Sequence, residues 1–150
     1  MQAPQFDPLI GGNCGDMSLS ETPTPNSEEV PVTTIDALNL SRCRLIKIDV
    51  QGMEGRVLAG AAATIARCRP AMLVENDIRE QSPALIRQIW GLGYRIWWHF
   101  SPLFVPNNFR GCRENHFPKI VSSNLLCLPA EGKLNIGGEE VSDENFWPLG

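Results

Sequence analysis

Asp49, Gln51 and Glu54 stand at the joint of "LIKIDVQGMEGRVLAGA", residues 45–61, where an apolar run gives way to a helical pattern. A second carboxylate, Glu75, ends the apolar run Ala71-Met72-Leu73-Val74. In α/β sheets, ligands bind beyond the carboxyl ends of the strands. Strands lie about 4.8 Å apart, so carboxylates closing two neighbouring strands would sit roughly 5–10 Å from each other on one rim. Such a pair can bind a cation, orient an amine or hydroxyl, or remove a proton. Gly52 and Gly55 let a ligand or a second backbone approach. The spacing also allows a plainer role, because Asp49 and Glu54 would favour the positive N-terminus of the helix that follows.

Further polar residues sit where a substrate would reach them. His99 ends an aromatic run beside Trp97 and Trp98, and is either a base facing substrate or a rim histidine satisfied by backbone. The connection "VPNNFRGCRENHFPKIVSS" is long enough for a lid or substrate loop. Its Asn107, Asn108, Arg110 and Asn115 are of the types that read a sugar, and His116 lies among them. Lys47 interrupts an apolar strand read as buried on both faces, which requires an acid partner, Glu75 or Asp36. Five widely spaced cysteines with no C-x-x-C pattern exclude a zinc ribbon or thioredoxin-type site and read as reduced thiols, several of them in the core. No metal site is assigned.

The elements that must position these residues follow from apolar periodicity. Val30 to Thr33 reads as extended, and Thr34 to Leu38 as one capped helical turn. Leu45 to Val50 is a strand. Met53 to Arg67 is helical, with Val57, Leu58, Ala61 and Ile65 on one face and Gly60 as a possible break. Pro70 ends that helix and residues 71–75 form a second buried strand. Ser82 caps a helix with Pro83 at its first position and Leu85, Ile86, Ile89 and Trp90 on its apolar face; Gly91 and Gly93 stop it. Residues 94–100 and 124–128 are the last two strands. Helical crossovers demand parallel neighbours, but no helix separates the final two strands, so they are antiparallel.

With 150 residues the chain fits one domain. No stretch has the roughly 20 apolar residues of a membrane helix, and the N-terminus lacks a signal-peptide pattern, so a cytoplasmic location is expected. Net charge is −4, with acids concentrated in residues 1–29 and 130–150. The middle carries twelve bases and seven acids, an excess suited to an anionic substrate or simply to solvated faces. The arginines form no stripe, which argues against nucleic acid. Residues 1–29 read as a flexible segment, 30–129 as the body, and 130–150 as an acidic tail whose Phe146 and Trp147 can dock on it.

"VPVTTIDAL", "LIKIDVQGMEGRVLAGA" and "RPAMLVEND" together resemble the C-terminal half of FkbM-family, S-adenosylmethionine-dependent methyltransferases, over about Val30 to Pro129. The resemblance implies a partial Rossmann-like class I methyltransferase sheet, α/β, of parallel strands plus a C-terminal antiparallel hairpin, with residues 124–128 between strands 71–75 and 95–100. It implies transfer of a methyl group to a hydroxyl of a small molecule or sugar. Asp49 would orient or deprotonate the acceptor, with Glu75, Asn76 and His99 lining its pocket. Gln51 departs from the family's usual glutamate and cannot act as a base. The family's Gly-rich cofactor loop has no counterpart upstream of residue 45: "IGGNCGDMSLS" at 10–20 follows no strand, and its Gly-Gly reads as a turn. No cofactor-binding residue is therefore assigned, and the chain alone is expected to hold S-adenosylmethionine weakly or not at all. The rival reading is a non-catalytic domain that binds an intact methyltransferase through its open sheet edge. Partners are then a small-molecule or sugar acceptor, with neither nucleic acid nor membrane, and self-association through strand 45–50 is possible.

Overall fold

The computed structural model describes residues 1–5, 17–118, 120–134 and 136–149. Most of the 10–20 segment, its Gly-Gly pair included, lies outside the described residues. The elements run β1 (Gln2–Pro4), β2 (Ser27–Glu29), a 3-10 turn (Asp36–Leu38), β3 (Leu45–Ile48), α1 (Glu54–Ala59), α2 (Ala62–Cys68), β4 (Ala71–Glu75), α3 (Ser82–Gly91), β5 (Tyr94–Pro102) and β6 (Val121–Pro129). β3 to β6 form a mixed sheet in the order β3-β4-β6-β5. β3 and β4 are parallel, and β6 is antiparallel to both β4 and β5. The expected insertion of the last strand between 71–75 and 95–100 is thus found, although only one adjacent pair is parallel. β1 and β2 make a separate antiparallel pair within the expected flexible segment. The expected extended piece at Val30 to Thr33 is irregular, and pairing falls just before it.

One face of the sheet carries the core. Ile46, Ile48, Met72, Val74, Ile96, Leu125 and Cys127 are buried there against Leu58, Ala61 and Ile65 of the α1–α2 segment and Leu85, Ile86 and Ile89 of α3. Removing the Ile, Leu, Val and Met side chains among them from water stabilises the fold by about 1.5–3 kcal/mol each. The other face is more open: Leu45 is 64% exposed and Lys47 is exposed. This corrects the expectation of a strand buried on both faces. Among the described residues, β3 has a strand on one side only.

The Gly60 break in the helix has a physical cause. Gly60 O accepts the Asp36 N–H at 2.9 Å, and the Asp36 carboxylate in turn accepts the N–H groups of Ala63 and Thr64 at 2.9 and 2.7 Å. A distant aspartate therefore caps the first turn of α2, satisfying donors that a helix start leaves open. The cap expected of Ser82 is not made. Gln81 occupies the N-cap position, while Ser82 sits inside the first turn and its hydroxyl accepts the Asn76 amide at 2.8 Å.

Two long-range clamps close the fold. Arg69, in the left-handed region at φ +48°, donates to Leu92 O and Gly93 O at the end of α3, both at 2.8 Å. It also pairs with both Glu131 oxygens and lies over the Tyr94 ring. Along the outer edge of β5, Val141 N donates to Ile96 O at 2.8 Å and Glu140 pairs with Arg95. Trp147 packs edge-on against Trp98 with centroids 5.8 Å apart, so the C-terminal tail docks on the body as expected.

Candidate functional site: a carboxylate row at the sheet rim

Strand register decides which polar residues meet. Glu75 is opposite Asn124 on β6, and Asn124 is opposite His99 on β5. Asp49, one residue past Ile48, continues the β3–β4 register to Glu75. Side chains directly opposite share a face, so Asp49, Glu75, Asn124 and His99 form one row across the sheet. The row lies on the open face, at the carboxyl ends of β3 and β4.

The Asp49 and Glu75 carboxyls are close enough to shift each other's protonation. Lys47, two residues before Asp49 and so on the same face, forms an ion pair with it. Asp49 is thus the partner of Lys47, in place of the expected Glu75 or Asp36. The hydrogen bond from Lys47 holds the Asp49 carboxyl below its usual range, despite an opposing contribution from burial. Glu75 moves the other way, pushed up to about 7 by burial, by its hydrogen bond with Asp49, and by the charges of Asp77, Asp49 and Glu54. Like charges in contact do not both ionise readily. The outcome at neutral pH is an ionised Asp49 beside a Glu75 poised between its two states.

The turn after Asp49 is built to hold this arrangement. Gln51 and Gly52 both take positive φ, +51° and +85°. The buried Glu54 carboxylate accepts the N–H groups of Val50 and Gly52 at 3.2 and 3.1 Å, so Glu54 serves the turn. Gln51 Nε2 points to Glu75 Oε2 at 3.5 Å. A Cβ on Gly52 would come within 3.0 Å of Ile78, and one on Gly55 within 2.9 Å of Gln88. Gln88 Nε2 donates to Gly55 O at 2.9 Å. Both glycines therefore admit the chain's own side chains.

Asn76 is on the opposite face from Glu75, because successive strand residues alternate. It is buried and its amide is bound to Ser82. Asn124 was not foreseen, although its parity with Leu126 in "SSNLLCL" marks it as facing the same side as Trp97 and Leu73. A cleft of about 400 Å³ runs between α1 and the start of α3, lined by Gly52, Arg56, Gln81 and Gln88 among others. It lies on the helix side and does not include the carboxylate pair. Among the described residues no three His, Cys, Asp or Glu side chains are grouped to hold a metal. No helix among them is long and apolar enough to cross a membrane.

Residues 7–96 match the methyltransferase FkbM domain model. The match starts well before Val30 and stops within β5. No curated protein and no solved structure matches the chain. Since the family model covers more than half of it, the chain belongs to the FkbM methyltransferase family.

Proposed function

We propose that this member of the FkbM methyltransferase family takes part in S-adenosylmethionine-dependent methylation of a hydroxyl on a small-molecule or sugar acceptor. The observation that carries the reading is the Lys47–Asp49–Glu75 array on the carboxyl rim. S-adenosylmethionine supplies an electrophilic methyl group on a sulfonium. The rim's carboxylates suit a cationic donor in charge, but Gly52 and Gly55 leave no cradle for it, since Ile78 and Gln88 already fill the space. No residue is therefore assigned to holding the cofactor.

What the chain's own residues do follows from their protonation. Asp49, kept ionised by Lys47, accepts a hydrogen bond from the acceptor hydroxyl and orients it; alignment is the larger part of catalysis in such a displacement. Its lowered pKa makes it a poor base. Glu75, poised at about 7, is the better group to take the hydroxyl proton. His99 continues the row and is exposed, so it can contact the rest of the acceptor, whereas Asn124 is buried and donates to Ser122 Oγ at 2.8 Å, which makes it part of the row's support.

Transfer of labelled methyl to a panel of hydroxyl acceptors tests the reading. Glu75→Gln and Asp49→Asn should each lower the rate by about a hundredfold or more. Transfer that survives both changes would remove the pair from the chemistry. The second reading, a non-catalytic partner domain, is favoured by the outer edge of β3, which no described strand covers. It expects no transfer by the chain and a measurable complex with an intact family member.

A further inference from the structure

The loop between β5 and β6, residues 103–120, turns its apolar side chains outward. Leu103, Val105, Phe109, Phe117 and Ile120 are each at least half exposed, and Phe109 is completely so. Two of its amides bond to the loop's own backbone. Asn108 Nδ2 donates to Val105 O at 3.0 Å and to Cys112 O at 2.7 Å, and its Oδ1 accepts the Cys112 N–H at 3.0 Å. Asn115 Oδ1 accepts the Phe117 N–H at 2.8 Å. Two of the side chains expected to read a sugar are thus spent on the loop's own shape. Water is a poor neighbour for five large apolar groups, and clusters of this kind mark docking surfaces.

Charge identifies what docks. The loop carries Arg110, Arg113 and Lys119 against Glu114, a net +2 in a chain of −4. Among the described residues neither Arg110 nor Arg113 is in an ion pair. A second copy of the loop would bring the same positive charge and repel. Aromatic and aliphatic side chains interleaved with arginines fit the boundary between anionic headgroups and acyl chains.

We propose that residues 103–120 seat the protein on an anionic lipid surface. This is a peripheral contact through a loop tip, so it needs no spanning segment. The expectation of no membrane partner considered only spanning stretches. β5 runs parallel to β3 and β4, because each of β4 and β5 is antiparallel to β6. The loop therefore leaves the sheet at the rim that carries Asp49 and Glu75, and docking would bring that rim toward the surface.

Co-sedimentation of the full chain with vesicles tests the proposal, comparing mixed phosphatidylcholine and phosphatidylglycerol with phosphatidylcholine alone. Binding is expected to the mixed vesicles only, and to weaken with salt. Arg110→Ala with Arg113→Ala should weaken it roughly thirtyfold, and Phe109→Ser roughly tenfold. These side chains are exposed, so an unchanged circular dichroism spectrum is expected and separates lost binding from lost folding. Absence of binding to the mixed vesicles, or binding indifferent to both sets of changes, would overturn it. So would self-association without vesicles that Phe109→Ser abolishes, which would assign the tip to a second copy.

Discussion

Glu75→Gln offers a direct test of the carboxylate pair without any substrate. The glutamine keeps a donor for Asp49 and an acceptor for Gln51, and removes only the titration. Folded Glu75 releases its proton near pH 7, whereas an unfolded glutamate does so near 4.5. Between these values the native state binds more protons than the unfolded state, so stability falls as pH rises. The contribution is fully present below 4.5 and is lost as pH passes through about 7. The full displacement corresponds to at most about 3 kcal/mol. Glu75 is only partly buried, and solvent screening reduces the effect to roughly 1 kcal/mol. Urea denaturation of both proteins from about pH 4 to pH 8.5 reads the difference. The variant should gain about 1 kcal/mol on the wild type across that range, with most of the gain between pH 5 and 7. A constant offset at every pH would show that Glu75 titrates normally and that neither burial nor the neighbouring acids raise it.

Arg69→Ala should destabilise the fold by about 2 kcal/mol in equilibrium denaturation, through the charge-assisted hydrogen bonds lost to Leu92 O and Gly93 O; an unchanged midpoint would mean that water replaces the guanidinium at the end of α3. The outer edge of β3 should make the chain self-associate, visible as sedimentation coefficients that rise with concentration, and Leu45→Lys should suppress this. A monomer at all concentrations with protected amides at 45–48 would show that the edge is already covered.

The fold was legible where a local rule governs it. The apolar runs 45–50 and 71–75 mark two strands, and the absence of a helix between the last two strands makes those antiparallel to each other. The Gly60 break was legible as a possibility, but its reason was not. Asp36 reaches α2 across more than two dozen residues, and no periodicity reports such a contact. The clamps of Arg69 on the end of α3 and of Glu140 on Arg95 are hidden in the same way. The open outer face of β3 is not legible in the sequence, because Leu45 alongside Ile46 and Ile48 resembles a strand buried on both faces, and only the absence of a described neighbour leaves Leu45 and Lys47 exposed.

The site shows how much further the alternation rule reaches when it is applied to polar residues. Lys47 and Asp49 are two apart in one strand and so share a face, which fixes their pairing before any partner on another strand is considered. Glu75 and Asn76 are adjacent and so cannot share a face; a pocket lined by both would need a bulge, and β4 pairs without interruption on both sides. Once β6 is known to lie between β4 and β5, parity brings Asn124 into the row with Glu75 and His99. The remaining step, the opposite displacement of the two carboxyls, was beyond any reading of spacing. It depends on Lys47 reaching Asp49 and on burial reaching Glu75, a difference in surroundings between two residues whose places at the strand ends look equivalent in the sequence. In the proposed reaction, that asymmetry would assign one carboxylate to orienting the hydroxyl and the other to taking its proton.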